Sequence, residues 1–155
     1  MAPDENGPRL EFVFEVRVDV EEGWHVGRGA DERLWFTPIT GGTVRGPRLD
    51  GVVLAGGGDW SVQRGGTTEL DARYLLRADD GAVIDIHNRG YYRASAEVEA
   101  RAAAGESVDE SLYYFRTAPR FQTDAPQHRW LAENQFVGLA RDEEGQIRIR
   151  FFLVL

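Results

Sequence analysis

The sequence predicts an all-β protein: a single closed antiparallel β-barrel of about eight to ten strands, of lipocalin size, with one short helix outside it. Three observations predict this fold. Apolar and polar residues alternate with a period of two over much of the 155-residue chain. Turn-forming residues separate the alternating segments at short intervals. Closure into a barrel removes the exposed edges that an open sheet would leave.

The strands are predicted from this alternation, and the clearest runs from Leu10 to Val20, where every second residue is apolar. Residues 1–8 form a polar segment that is expected to be disordered, so the domain covers residues 9–155. Further strands are predicted over Leu34–Ile39, Thr43–Ala55 with a bend near Pro47, Asp59–Gln63, Thr68–Ala78, Ala82–Asn88, Leu112–Thr117, Phe136–Arg141 and Ile147–Leu155.

Turns and helices complete the outline. Asp79-Asp80-Gly81 is the strongest hairpin signal, and neighbouring strands joined by such turns pair antiparallel. A helix is predicted over Ala96–Ala104, with Ser95 as its N-cap and Gly105 placed to end it. A short helical turn is predicted over Gln127–Leu131, after Pro126.

The composition excludes several classes of protein. All 18 basic residues are arginine, and the net charge is −8, which disfavours nucleic acid and anionic membranes as partners. Without lysine there is no Schiff base and no lysine-dependent phosphate loop. Without cysteine there is no disulfide, thiolate nucleophile or Cys-based metal site. No basic-apolar leader and no long apolar run occurs, so a cytoplasmic protein is expected.

Four motifs occur in order along the chain: "PITGGTVRGPRLDGVVLAGGGDW", "ELDARYLLRADDGAVIDIHNRG", "YYFRTAPRFQT" and "HRWL". In these the chain resembles the family called domain of unknown function 3237 from Leu10 onward. The resemblance implies a lipocalin-sized barrel with few assigned activities, several members lying near genes for secondary metabolites or aromatic compounds. Gln122 and His128 depart from the glutamate and tyrosine expected there.

The stretch "GGGDW" places three glycines before Asp59 and Trp60. Glycines let the backbone approach a ligand closely, and a carboxylate against an indole has a raised pKa suited to proton transfer. Asp59 is therefore a candidate general base or acid, with Trp60 shielding it from water. The alternative is structural, with Asp59 capping a turn and Trp60 filling one end of the core.

Two further strands carry candidate polar groups. On Thr68–Ala78, Asp71 and Arg73 share one face; turned into the lumen, Arg73 would hold an anionic or carbonyl oxygen of the substrate. The alternative is an outer face covered with salt bridges. On Leu112–Thr117, Tyr114 and Arg116 share a face and would offer a phenol and a cation on one wall of the lumen. The alternative for Arg116 is that it binds the carbonyls of a following loop.

The remaining candidates have weaker signals. Trp35, Phe121 and Trp130 are assigned to the walls or lid of a pocket, although aromatic residues in small barrels more often fill the core. His87 shares a strand face with Asp85, which permits an oriented His-Asp pair or a surface pair. The three histidines have no metal-ligand spacing, and no dinucleotide or serine-hydrolase motif occurs. We therefore expect no metal and no cofactor.

The function predicted from these residues is a cofactor-independent isomerase, cyclase or lyase that transfers protons on an aromatic or polyketide-like metabolite. One alternative is a non-catalytic carrier or sensor barrel, and another is a structural partner whose lumen is filled by side chains. The final segment "IRIRFFLVL" ends in residues that are apolar on both faces, so a homodimer is also expected.

Overall fold

Ten strands form one antiparallel sheet that closes on itself in the computed structural model, which describes residues 2–155. The strands are β1 Leu10–Val20, β2 Trp24–Gly29, β3 Glu32–Arg45, β4 Gly51–Val53, β5 Gly58–Arg64, β6 Thr67–Ala78, β7 Val83–Ala94, β8 Tyr113–Gln122, β9 Phe136–Glu143 and β10 Gln146–Val154. They occupy the 8 positions of a closed barrel, which confirms the predicted fold class.

The barrel is a meander in which two of the positions are each shared by two short strands. β1 and β2 lie end to end along one side of β3, and β4 and β5 lie end to end along its other side. Both β4 and β5 also pair with β6, and β6 to β10 then follow in order. β10 pairs with β1 and closes the ring, so its main edges are covered.

The largest difference from the sequence prediction lies between Thr43 and Ala55. The structure does not have one bent strand there, because β3 ends at Arg45 and the chain reverses before β4 begins at Gly51. Gly51 then pairs with Val44 in a hairpin. Pro47 lies in the reversal, where the missing N–H of proline removes no ladder hydrogen bond. β2 was not predicted, since Gly27 and Gly29 interrupt its alternation.

The two helices lie outside the ring of strands. α1 spans Ala96–Ala103, and the Ser95 hydroxyl accepts a hydrogen bond from the Val98 N–H at 3.2 Å, as predicted for an N-cap. Gly105 follows with φ +82°. α2 spans Trp130–Glu133, directly after a 3₁₀ turn over Pro126–His128. The predicted disorder of residues 1–8 stays a prediction, and Met1 lies outside the described residues.

The core fills one end of the barrel. Phe14, Phe121, Phe136 and Phe151 form a buried aromatic cluster there, with ring centroids 5.2 to 6.0 Å apart. α2 covers this end through buried Leu131, while the other end is lined by smaller side chains. Packing of this kind closes one end and leaves space at the other.

Candidate functional site

A cavity of about 250 Å³ lies in the lumen at the open end of the barrel. This end gathers the last residues of β1, β7 and β9 and the first residues of β6, β8 and β10. Most of the wall is apolar, including Val18, Ile39, Leu70, Phe115 and Ile149. A cavity with apolar walls and a few polar groups is the usual form of a small-molecule site.

Asp59 lines this cavity and is only partly exposed. It is opposite Thr37 on β3 and Ala72 on β6, and both of these neighbours also line the lumen. Its Oδ1 accepts a hydrogen bond from the Asp71 N–H at 2.8 Å. Burial raises the pKa of Asp59 from 3.8 to about 6; the charge of Asp71 also raises it, while the hydrogen bond from Asp71 lowers it. A carboxyl of this pKa exists in both protonation states near neutral pH.

The glycines before Asp59 are each required by their surroundings. Gly56 has φ +110°, which side chains rarely adopt. A Cβ on Gly57 would lie 2.5 Å from the Arg73 carbonyl oxygen and from Tyr74 Cβ, and a Cβ on Gly58 would overlap the Phe36 ring. The glycines therefore let the break between β4 and β5 lie directly against β6. This close contact places Asp59 in the wall.

Three buried side-chain oxygens have no hydrogen-bond partner among the described residues, and all three belong to residues that line the cavity. They are Tyr74 Oη, Asn88 Oδ1 and Thr117 Oγ1. Burial, and secondarily the charge of Asp59, raises the pKa of Tyr74 above its ordinary value, so its hydroxyl stays protonated. Buried polar atoms are usually paired, and three unpaired ones in one cavity indicate a ligand or solvent site.

The mouth of the cavity carries a second carboxyl. Asp142 lines the cavity at the end of β9, and its backbone N–H donates to the Tyr113 hydroxyl at 3.2 Å. Partial burial of the carboxyl, followed by the charge of Glu99 on α1, raises the pKa of Asp142. Burial and Glu99 likewise raise the pKa of Tyr92 to about 12. The entrance is therefore negative and lies beside α1.

Trp60 and Trp35 are not in the cavity wall. Trp60 lies on the opposite face of β5 from Asp59, packs in a tilted arrangement on Phe36 with ring centroids 4.6 Å apart, and is 50% exposed. It does not shield Asp59, which corrects that prediction, because successive residues of a strand point to opposite faces. Trp35 is 38% exposed and packs on His25 at 4.9 Å on the β2–β3 hairpin.

Arg73, Asp71 and His87 lie on the outer face of β6 and β7. Arg73 binds Asp85 at 3.0 Å with its side chain 70% exposed, and His87 Nε2 lies 2.5 Å from Asp71 Oδ1. The lumen face of β6 is instead the apolar set that contains Leu70 and Tyr74. The prediction that Arg73 and Asp71 face the lumen is wrong, and the alternative of a face covered with salt bridges describes the structure.

Tyr114 and Arg116 also lie outside the lumen. They line a groove of about 610 Å³ on the outer surface of β7, β8 and β9. The Arg93 guanidinium stacks on Tyr114 at 4.0 Å, and Arg116 Nη1 donates to the Phe115 carbonyl at 3.0 Å. This placement corrects the prediction that both line the lumen, since Phe115 and Thr117 are the inward residues of this strand.

Phe121 and Trp130 belong to the closed end rather than to the cavity. Phe121 is 3% exposed within the aromatic cluster, and Trp130 packs on Phe136 at 5.7 Å. The Arg48 guanidinium covers the outer face of Trp130 at 4.0 Å. Phe121 belongs to the core and the partly buried Trp130 packs against it, which corrects the assignment of both residues to the pocket.

Sequence reasoning missed Tyr74, Asn88, Thr117 and Asp142. Asn88 follows Ile84 and Ile86 on the inward face of β7, and Thr117 follows Phe115 on the inward face of β8. A polar residue in the register of an apolar face is the signal that would have found them. Among residues 2–155, no group of three or more His, Asp or Glu side chains could hold a metal ion. No helix in this range is long and apolar enough to cross a membrane.

Comparison with known proteins gives a family and a fold. The family model described as protein of unknown function (DUF3237) matches residues 8–154. A UPF0311 protein of Rhodopseudomonas palustris is 36% identical over 154 residues, covering 96% of this chain and 99% of its own. The crystal structure of a conserved protein of unknown function from R. palustris superposes with a TM-score of 0.89 at 33% identity, over 100% of both chains.

One relative carries the name of an activity. A hydroalkoxylation enzyme of Penicillium herquei is 31% identical over 77 residues, which are 50% of this chain and 52% of that protein. A crystal structure of an enzyme from P. herquei shares the fold over 100% of both chains, with a TM-score of 0.74 at 21% identity. The barrel fold therefore also occurs in an enzyme.

Proposed function

The chain belongs to the family described as protein of unknown function (DUF3237), and from that premise we propose that it is a cofactor-independent enzyme that transfers protons on a compact, largely apolar metabolite. The metabolite is of an aromatic or polyketide-like kind and binds in the lumen cavity. The reaction is an isomerisation, a cyclisation or an elimination. Asp59 is the group that takes and returns the proton.

The observation that carries this proposal is the Asp59 carboxyl in the wall of an apolar cavity, with its pKa raised by burial to about 6. General acid–base catalysis is most efficient when the pKa of the catalytic group lies near the working pH. An exposed carboxylate would be too weak a base, whereas this one is closer in pKa to the protons that it would move. Strongly shifted carboxyls in cavities are candidates for catalysis.

The Penicillium relative supports the same class of chemistry. Hydroalkoxylation adds an O–H across a C=C bond, so a C–O bond and a C–H bond form while the O–H bond and the π bond are lost. The addition is redox-neutral: one proton leaves oxygen, and one is delivered to carbon. A single carboxyl that accepts the first proton and returns one to carbon would complete the balance. Within the class above, such an addition within one molecule is a cyclisation.

The groups that would stabilise negative charge developing on the substrate differ from the one predicted from the sequence. Arg73 is outside the barrel, so the donors available in the cavity are hydroxyls such as those of Tyr74 and Thr117. Preorganised neutral donors in a site of low dielectric stabilise an oxyanion without a cation. Their unpaired state leaves them free to bind an oxygen of the substrate.

A carrier or sensor barrel is the second candidate, and the mostly apolar cavity wall favours it. Such a protein binds its ligand without turnover, and Asp59 would then only fix the orientation of the ligand. The two functions differ in one measurable respect: only the enzyme changes a bound compound.

The test uses Asp59→Asn, because an asparagine Oδ1 still accepts from the Asp71 N–H and the fold is kept. A thermal-shift screen of aromatic and polyketide-like compounds supplies ligands, and NMR follows their conversion or their uptake of deuterium from solvent. We expect turnover to fall about 10²- to 10⁴-fold in Asp59→Asn. Asp85→Asn, the matched change on the outer face, should leave turnover within about twofold of wild type, because Asp85 pairs with the exposed Arg73.

Two results would decide against the proposal. Full turnover in a folded Asp59→Asn protein would remove Asp59 from the chemistry. Ligands that bind the wild-type protein tightly but are never changed, in protonation or in bonding, would favour the carrier function.

A further inference from the structure

Positive charge is kept out of the lumen. None of the lining residues in the described part of the chain is an arginine or a histidine, although the sequence contains 18 arginines. The ionisable groups in the wall are instead two carboxyls, Asp59 and Asp142, and two tyrosines, Tyr74 and Tyr92. Glu99 adds a third negative charge beside the mouth. An anionic ligand would therefore have no counter-charge in this cavity and would meet repulsion at its entrance.

We propose that the cavity selects an uncharged ligand of about one ring through a hydroxyl group of that ligand, and that it rejects carboxylates. The hydroxyl is held by four polar residues of the cavity wall, Asp59, Tyr74, Asn88 and Thr117, which together form the polar cluster. This inference rests on the proposed function, because it takes the lumen cavity as the working site. It adds the charge and the recognised group of the ligand.

The hydrogen-bonding capacity of the polar cluster matches a ligand oxygen that both donates and accepts hydrogen bonds. The Asn88 Oδ1 can only accept, and so can the ionised Asp59 carboxylate, so they need a donor from the ligand. The buried Tyr74 and Thr117 hydroxyls each carry a proton that needs an acceptor. A ligand hydroxyl meets both needs. An ammonium group has donors only, and it would leave the protons of both hydroxyls unpaired.

The volume sets the size of the ligand. A dry apolar cavity of about 150 Å³ holds one benzene molecule. The 250 Å³ here is larger, so it accommodates a single substituted ring with room for a short chain. The apolar wall formed by Leu70, Phe115 and Ile149 would contact the aromatic ring of the ligand, while the polar cluster would contact the substituent on that ring.

The test compares benzyl alcohol, benzoate and benzylamine, which share a phenyl ring and a one-carbon substituent and differ in charge. Binding to the whole protein is measured at pH 7.5 by NMR titration at millimolar concentrations, with shifts mapped onto the lumen and onto the outer groove. We expect benzyl alcohol to bind in the lumen and benzoate to bind at least about tenfold more weakly. Asp59→Asn should narrow that difference to within about threefold, because it removes the nearest negative charge.

Tyr74→Phe and Thr117→Val test the role of the polar cluster in binding. Each should lower the affinity for benzyl alcohol about threefold to tenfold, which corresponds to the loss of one hydrogen bond. Neither should lower the stability of the free protein, because each removes a buried hydroxyl that has no partner. Tyr91→Phe, in the outer groove, is the matched control and should change neither property.

Benzoate binding in the lumen as tightly as benzyl alcohol would overturn the inference, and so would tighter binding of benzylamine or no binding by any of the three. Unchanged affinity for benzyl alcohol in both Tyr74→Phe and Thr117→Val would also overturn it. These are equilibrium measurements, so they are independent of turnover in Asp59→Asn. Charge selection can fail while Asp59 is catalytic, and it can hold in a carrier.

Discussion

Asp59 combines a structural contact with an unfavourable ionisation. Its carboxylate accepts the Asp71 N–H where the pairing of β5 with β6 is interrupted between Asp59 and Val62, so it replaces a backbone partner. Burial nevertheless raises its pKa to about 6, which means that the folded protein holds the proton of Asp59 more tightly than the unfolded chain does. Deleting the side chain would remove both effects, whereas Asp59→Asn removes only the charge.

The pH dependence of stability follows from this pKa. Because the pKa of Asp59 in the folded state is raised from 3.8 to about 6, the contribution of Asp59 to the free energy of unfolding is fully present below pH 3.8. It is lost as pH rises through 6, by about 3 kcal/mol. Asparagine does not titrate, so the stability of wild type relative to Asp59→Asn should fall across this window and then stay constant. Urea unfolding of both proteins between pH 4.5 and 7.5 measures it; a constant difference would contradict the raised pKa.

The same scale shows what a single sequence could and could not predict. Alternation along β6 separated Leu70 and Tyr74 from Asp71 and Arg73 correctly. It did not say which set faces the lumen, because a ligand cavity can have a polar wall. The structure answers through desolvation: exposed Arg73 binds Asp85 in water, whereas a guanidinium inside would need a buried partner. Asp59 was singled out because its sequence setting is local, whereas Tyr74, Asn88 and Thr117, which line the same cavity, come from other strands.

At the scale of elements, the two broken strands shape the open end. β1 and β2 are separated at residues 21–23, and β4 and β5 at residues 54–57, while β3 runs unbroken between them. Alternation predicted strands in the positions of β1, β3 and β5, but it did not predict β2, and it gave β4 only as part of one bent strand. The breaks were not predictable, since the close approach of Gly57 to β6 depends on a neighbour 17 residues later, Tyr74.

Gly57→Ala tests this close approach. Its Cβ would lie 2.5 Å from the Arg73 carbonyl oxygen and 2.8 Å from Tyr74 Cα, and backbone atoms of β6 cannot move without disturbing the sheet. We expect a loss of stability above about 2 kcal/mol and weaker ligand binding, because the strain reaches Tyr74. Gly66→Ala is the control: nothing lies within 4 Å of its Cβ, so stability should change little. Equal effects of the two substitutions in urea unfolding would contradict the packing argument.

At the scale of the whole molecule, the apolar C-terminal strand is largely satisfied within the barrel. β10 lies between β1 and β9, and its residues Ile149, Phe151 and Leu153 point into the core. The outward Phe152 packs on the partly exposed Phe12 at 5.7 Å, and with exposed Leu155 these residues keep part of the apolar patch that predicted self-association. A homodimer through this patch remains our proposal. Light scattering should give a dimer mass that Phe12→Arg converts to monomer; a monomeric wild type at all micromolar concentrations would contradict it.

The barrel divides along its axis into a closed end that is filled by the aromatic cluster and an open end that contains the cavity, and β8 passes through both. Phe121 lies in the aromatic cluster of the closed end, whereas Phe115 lines the cavity six residues earlier on the same face. The sequence did not distinguish these two ends, because alternation is the same along β8 at both, and Phe121 was assigned to the pocket. Only the size of the side chains from facing strands distinguishes the two ends.

Two substitutions on this strand test the division. Phe121→Ala should cost about 3 to 5 kcal/mol, because it opens a new void among close-packed rings. Phe115→Ala removes the same atoms beside an existing cavity, so it enlarges that cavity and does not open a new void among packed rings. We therefore expect a loss of stability about half that of Phe121→Ala. Phe115→Ala should also admit larger ligands in a thermal-shift screen, while Phe121→Ala should not. If the two variants lose equal stability and bind the same ligands, then the open end is as much a part of the packed core as the closed one.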